Sequence, residues 1–594
     1  MSTRSLVFLL LLFGLSVHGK LLQAAPDILS LFSHATKSTG QKRWQMSGTA
    51  DGSSFHTVTM AITNVPNAIA RCEAMTVAIH TPGAQTFGKH LSLDEVHSNF
   101  VNTEATEKVE SWLKKRGVSF KKRGDFVRIT APIRRIQQLF NAKFHVFRMM
   151  STGQSIMRTP NYTLPTEIAD SVDFVTNMVS FPPKLTAIAH DPPREEKRQS
   201  QQPGVTPALL STFYNSEHPP HTLRNLRTVP LGQLIHPLAT QAIFGALGQS
   251  FSPGDLNLFQ YIYGVFLHPI DWIVGRNSPS TCRQKADDCI EASLDVQYIL
   301  SISQGANTGF WSITTDSKDP FYDWIIEIAR QPSPPLVHSI SYGGIESDEP
   351  VENVLRFNTE ACKLGLRGIT IVVASGDDGV AGYNARNDYS KCGFTPEFPA
   401  SCPYILSVGA TQGPESGSIE VSQSSDIGGQ ITTGGGFSNA YSRPTWQAAA
   451  VGEFLNRHDS PFGLYNRNGR GYPDVAIMGH NYETIVGGKR KLLSGTSASA
   501  PVMAGMLTLI NSRRLSLGKG PLGFVNPALY HLAQTSQITP FRDILSGNNH
   551  CTAGANDNKL VCCAEGFDAG RGWDPLTGLG SVDYYLLSTQ LAAL

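Results

Sequence analysis

Ser494-Gly495-Thr496-Ser497-Ala498-Ser499-Ala500-Pro501 runs straight into the apolar stretch Val502, Met503, Ala504, Gly505, Met506 and Leu507. Small residues let a backbone turn tightly and approach a ligand closely, and the apolar stretch predicts a buried helix. Ser497 then falls at a helix N-terminus, where unpaired N–H groups and the positive dipole end favour negative charge on the serine oxygen or a nearby oxyanion. A polar loop with an N-cap serine reads the same way. The partners of Ser497 decide.

Two other stretches offer partners. Ile369 to Ala374 is a continuous apolar run of the kind buried in a parallel sheet, and Asp377 follows it at once in Ala374-Ser375-Gly376-Asp377-Asp378-Gly379. Ile290 to Tyr298 predicts a helix in which Glu291 and Asp295 stand four apart, so their carboxylates share one face and their repulsion raises at least one pKa. Taken alone, that helix fits solvated surface acids as well. A serine hydroxyl needs a base. The sequence holds no His-Gly-Thr stretch, and His338 lies inside the predicted strand Leu336 to Tyr342, where a core or edge histidine is expected. Glu291 as base, coupled to Asp295, and a protonated Asp377 donating to an oxyanion together predict catalysis in acid and loss of activity near neutrality.

At 594 residues, 41% hydrophobic and 16% charged, the chain is globular with core for two domains or more. The net charge of +1 gives no electrostatic case for a nucleic-acid partner, and the cluster Lys114, Lys115, Arg116 with Lys121, Lys122, Arg123 reads as a solvated face. Arg4 ahead of Leu6 to Leu15 predicts a secretory signal peptide over 1–19; no later stretch predicts a membrane anchor. Cys72 stands alone in the N-terminal third, and eight cysteines follow, which in an oxidising compartment predicts several disulfides. Close spacing points to Cys282 with Cys289, and Cys392 with Cys402.

Leu21 to Pro183 reads as an α+β unit, with helical spacing over Thr106 to Arg116 and Ile133 to Phe140 and a strand at Phe126 to Ile129. Asp191 to Pro203, polar and carrying Lys197-Arg198, predicts an exposed, cleavable linker. This is how a zymogen would be laid out: a prosegment over 20–198 and a catalytic domain over 199–594. Pro219 to Phe266 gives no clear pattern. Beyond it, helix at Trp324 to Arg330, strand at Leu336 to Tyr342, helix at Val351 to Leu364 and strand at Ile369 to Ala374 predict an α/β sheet covered on both faces, with ligands at the strands' carboxyl ends.

SGTSASAP, EASLD and ASGD in this order resemble the sedolisin, or serine-carboxyl peptidase, family, a relative of subtilisin in fold. Ser341-Tyr342-Gly343, Thr433 to Ser438, Gly469 to Asp474 and Gly572 to Pro575 agree, as do Val172 to Val175 and Phe181 to Pro183 with that family's prosegment. The resemblance implies a subtilisin-like parallel sheet flanked by helices, preceded by a ferredoxin-like α+β prodomain that inhibits its own enzyme. It implies Glu291 as base, Asp295 as its partner, Asp377 as oxyanion stabiliser and Ser497 as nucleophile. Peptide and protein substrates would lie extended along Ser341 to Gly343 and Gly434 to Gly436. Asp378 departs from the pattern, since relatives usually carry a small residue there, and a second acid beside Asp377 alters its protonation.

Asp543 and Asp574 flank Gly570-Arg571-Gly572, an oxygen-only set suited to Ca²⁺. The resemblance implies side-chain ligands Asp543 and Asp574 and carbonyl ligands Ile544, Gly570 and Gly572. The expected activity is release of tripeptides from free N-termini, with an endopeptidase of the same mechanism as the alternative. The only Asn-X-Ser/Thr site with X other than Pro, Asn161-Tyr162-Thr163, falls in the prosegment. That placement predicts secretion ahead of delivery to a lysosome or other acidic compartment.

Overall fold

The computed structural model describes residues 43–150, 153–182, 186–187, 204–215, 235–313, 319–457, 464–554 and 560–594. The expected signal peptide and the linker Asp191 to Pro203 lie outside the described residues.

The large domain is built on a sheet whose continuous apolar strands bury both faces. In spatial order its parallel members are Trp272–Val274, Asn307–Ser312, Thr240–Gly245, Val337–Ile340, Thr370–Ala374, Leu406–Gln412, Val475–Met478 and Ser581–Val582, with Phe541–Arg542 antiparallel at the far edge. Side chains alternate between two cores, as the two-residue period of a strand requires. Ile243, Val372 and Ala374 enter the core shared with the helices Ile290–Ile302 and Thr496–Ser516. Phe244, Ile371 and Val373 enter the opposite one, under Pro320–Ala329 and Val351–Leu366. This is the expected subtilisin-like α/β architecture.

The stretch that gave no pattern holds the central strand Thr240–Gly245 and a helix, Pro253–Ile262, capped by the Ser252 hydroxyl at Asp255 N–H. The expected strand Leu336 to Tyr342 divides. Val337–Ile340 stays in the sheet, whereas Tyr342–Ile345 turns out of it and pairs antiparallel with Glu397–Phe398.

The N-terminal unit follows strand, helices, two strands, helix, strand. Its antiparallel sheet runs Phe120–Arg123, Phe126–Pro132, Phe55–Ile62, Val172–Val175, the split order of a ferredoxin-like fold. Thr103–Lys115 and Ile133–Phe140 cover it with Val109, Trp112, Ile136 and Phe140.

The cysteine expectations are corrected in part. Cys282–Cys289 forms as expected. Cys392 does not pair with Cys402; it pairs with Cys563, and Cys551 with Cys562. Cys402 is a buried thiol, 3.3 Å from Asn358 Oδ1 and turned into the core away from Cys392. Cys72, the one cysteine of the N-terminal third, bonds Cys362 across the two domains.

Candidate active site

Ser497 sits in the first turn of Thr496–Ser516, completely buried, after Gly495 in extended backbone. Its Oγ donates to the Ser341 carbonyl at 3.3 Å. The Ser341 hydroxyl donates in turn to Asp295 Oδ1 at 2.7 Å, so one residue joins the serine helix to the acid helix. Glu291 and Asp295 stand one turn apart in Ile290–Ile302, both buried, which removes the surface-acid reading. Burial holds the Asp295 carboxyl well above the ordinary carboxylate range, against the Ser341 hydrogen bond.

Asp377 follows the carboxyl end of Thr370–Ala374. Its Oδ1 accepts from the Thr496 N–H at 2.9 Å and the Thr496 hydroxyl at 3.0 Å, which fixes it beside Ser497. Burial raises its pKa well above the usual value, and the Asp378 charge adds to that, while the Thr496 bonds and Arg386 oppose it. Asp378 is itself matched: Arg386 Nη2 reaches Asp378 Oδ2 at 2.7 Å, and Ala553 N–H donates to Asp378 Oδ1 at 3.0 Å. The turn between strand and Asp377 needs glycine. Gly376 has φ +112°, and a Cβ there would come within 2.6 Å of Glu397 Oε2.

The expected cleft segments are neighbours of this site. Gly434 N–H donates to the Gly376 carbonyl at 2.7 Å, and Tyr342–Ile345 leaves Ser341 directly. Against it lies the chain's own Thr186–Ala187, antiparallel, with Ala187 opposite Tyr342 and Thr186 opposite Gly343. His338 is buried in its strand against Trp324, ring centroids 5.3 Å apart, and burial lowers its pKa to about 3.

The structure therefore gathers Asp295, Asp377 and Ser497 through Ser341 and Thr496, with Glu291 on the same helix face as Asp295. Three linking residues escaped the sequence. Ser341 and Thr496 lay inside quoted motifs but without a sign that their hydroxyls bridge acids, and Arg386 lay eight positions past Asp378 with no signal at all.

At the C-terminus the two expected acids meet one turn. Asp543 Oδ2 accepts from Gly572 N–H at 2.8 Å, and Asp574 Oδ2 from Gly570 N–H at 3.0 Å. Asp574 is fully buried and its pKa is pushed up to about 7. Two carboxylates converging on a glycine turn, one of them held charged only at a cost, suit a divalent cation with oxygen ligands. Among the described residues no group of three or more His, Cys, Asp or Glu could hold a metal, so backbone carbonyls would complete any such set.

Residues 42–181 match the Pro-kumamolisin activation domain and residues 302–521 the subtilase family. The chain is 33% identical to tripeptidyl-peptidase 1 of Macaca fascicularis, over 92% of this chain and 94% of that protein. It is 32% identical to tripeptidyl-peptidase 1 of Dictyostelium discoideum, over 86% and 85%. Among solved structures, Pseudomonas sedolisin, a serine-carboxyl proteinase complexed with pseudo-iodotyrostatin, matches with 21% identity. The match covers 66% of this chain and 99% of that one, with a TM-score of 0.49. Fold and site thus define a subtilisin-like serine peptidase with an N-terminal activation domain. The chain belongs to the tripeptidyl-peptidase 1 family of sedolisin-type peptidases.

Proposed function

We propose that this chain is the zymogen of an acid-acting serine-carboxyl peptidase that releases tripeptides from free N-termini. In this reading Ser497 Oγ attacks the scissile carbonyl while Glu291, partnered by Asp295, takes the hydroxyl proton. Protonated Asp377 donates to the developing oxyanion. Glu291 then returns its proton to the departing amine, and water releases the acyl group by the same steps in reverse roles. The observation that carries this is Asp377 Oδ1 locked to the Thr496 N–H and hydroxyl beside Ser497, with burial favouring its protonated form. The tripeptide preference rests on the relatives' names; an endopeptidase of the same mechanism is the second reading. Domain limits of 20–198 and 199–594 place the cut in the linker. Thr186–Ala187 supports self-inhibition, because it occupies the strand edge an extended substrate would use.

Asp543 and Asp574, with the carbonyls of Ile544, Gly570 and Gly572, would hold a Ca²⁺ ion whose role is structural. The Pro575 carbonyl that follows lies 2.0 Å from where a Gly435 Cβ would sit, so this turn backs the cleft. Secretion ahead of lysosomal delivery is supported by the single site Asn161, exposed in the activation domain and not in the peptidase domain itself.

The test is hydrolysis of one tripeptide-amide reporter, with its amine free or acetylated, by acid-treated proform at about pH 4. Cleavage of the free form alone supports the tripeptidyl reading, and equal cleavage of both supports the endopeptidase. Absence of both cleavages, or full activity in Ser497→Ala, overturns the mechanism.

A further inference from the structure

The two domains share more than a docking face. Cys72, on the activation-domain helix Ala68–His80, is bonded to Cys362 on Val351–Leu366 of the peptidase domain, 290 positions further on. Cys72 and Cys362 are 0% and 1% exposed. Around them Ala68, Ile79, Val96 and Phe100 of the activation domain join Val354, Phe357, Ala361 and Leu364 in one apolar core. Charged groups flank it. Arg356 Nη2 reaches Asp125 at 3.0 Å and Arg356 Nη1 reaches Asp173 at 3.1 Å, while Lys363 Nζ reaches Asp125 at 2.6 Å.

Residues 191–203 lie inside the loop that this bond closes, so hydrolysing one peptide bond there opens the loop and leaves the disulfide as the covalent join between the two resulting chains. We propose that the activated enzyme is a disulfide-linked two-chain protein. Its activation domain stays a covalent partner after the linker is cut and leaves only when an external thiol reduces Cys72–Cys362. This rests on the zymogen reading above. The release step balances: two equivalents of a thiol RSH act through a mixed disulfide, the Cys72–Cys362 bond breaks, each cysteine gains a hydrogen, and the thiols leave oxidised as RSSR. Because both sulfurs are buried, the thiol acts only after the apolar interface opens. Until then the tether holds the domain at an effective concentration of about millimolar, so dilution does not strip it off.

The test uses full-length proform with a sequence-specific protease site placed in 191–203, so that cutting does not depend on self-processing. After cutting at about pH 4 and capping of free thiols, the expected result is one full-length band on a non-reducing gel, resolving into two on reduction. Mass spectrometry is expected to find Cys72 and Cys362 in one linked peptide pair. Free activation domain without reductant overturns the inference. With reporter hydrolysis as readout, cut wild type should keep its specific activity on about hundredfold dilution, whereas cut Cys72→Ser and Cys362→Ser should gain about tenfold. Equal gains in wild type overturn it as well. If unmodified proform never cuts its own linker in acid, the zymogen reading fails while the engineered cut still decides the tether.

Discussion

The Ser341 hydroxyl donates to Asp295 Oδ1 over 2.7 Å, inside a site where both residues are buried. The same residue's carbonyl accepts from Ser497 Oγ, so Ser341 positions the acid and the serine at once. Leaving the buried Asp295 Oδ1 without its donor costs about 1–3 kcal/mol. Ser341→Ala is expected to lower kcat about 10–100-fold with KM little changed. Steady-state kinetics showing kcat within twofold of wild type would remove Ser341 from the relay.

Asp377 sets an alkaline limit. Its carboxyl, raised by burial, is protonated in acid, and activity falls as pH rises through that raised pKa because a carboxylate repels the oxyanion. Asp377→Asn keeps a neutral donor that does not titrate. The expectation is kcat lowered by up to about a hundredfold, together with loss of that alkaline limb; a pH–rate profile of wild-type shape would assign the limb elsewhere.

The ion pair next to it tunes the same limb in opposite senses. Asp378 raises the Asp377 pKa and Arg386 lowers it. Removing the cation by Arg386→Met should therefore move the alkaline limb of kcat to higher pH, and Asp378→Ser should move it lower. Shifts of the same sign in both variants would show that the pair acts through folding rather than charge.

His80 and His90 meet at the domain joint, ring centroids 5.4 Å apart, with His80 Nε2 3.1 Å from the Gly365 carbonyl. Burial lowers His80 to about 4; burial, then the charges of His80 and Arg514, lower His90 to about 3. A free histidine titrates near 6.5, so the detached domain binds more protons and docking, complete above that pH, weakens as pH falls toward these values. Asp319, raised by burial to about 6, works in the other sense. Burial would raise Asp125, but Lys363 and Arg356 hold it at about 2, so it stays ionised. In linker-cut Cys72→Ser protein, adding His80→Gln and His90→Gln should lower the pH midpoint of domain release on gel filtration by about one unit. An unchanged midpoint would remove the histidines from the acid trigger.

Calcium should matter to stability before activity. A cation at a hundredfold excess over Kd adds about 2.7 kcal/mol, and a chelator should lower Tm by several degrees. Asp574→Asn should abolish that difference; a chelator shift of wild-type size in the variant would place the ion elsewhere.

Local pattern was enough for much of this protein. The apolar run Ile369 to Ala374, the helices at Ile133 to Phe140 and Val351 to Leu364, the latter running on to Leu366, and the place of Ser497 at a helix start were legible because a strand or helix writes its buried face into neighbouring positions. The strand Thr240–Gly245 was not, because prolines and glycines on either side break that pattern while the sheet supplies the missing stability.

The sequence by itself determined the residue types of the site, the α/β class and an N-terminal unit set apart from the peptidase domain. Tertiary structure alone decided that Ser341 bridges Asp295 and Ser497, that Arg386 answers Asp378, and that Cys72 bonds Cys362 rather than standing unpaired. The physical reason is range. Periodicity and capping act over a few residues and leave their mark in the local sequence, whereas a hydrogen bond across 46 positions or a disulfide across 290 exists only once packing brings distant side chains within a few ångströms.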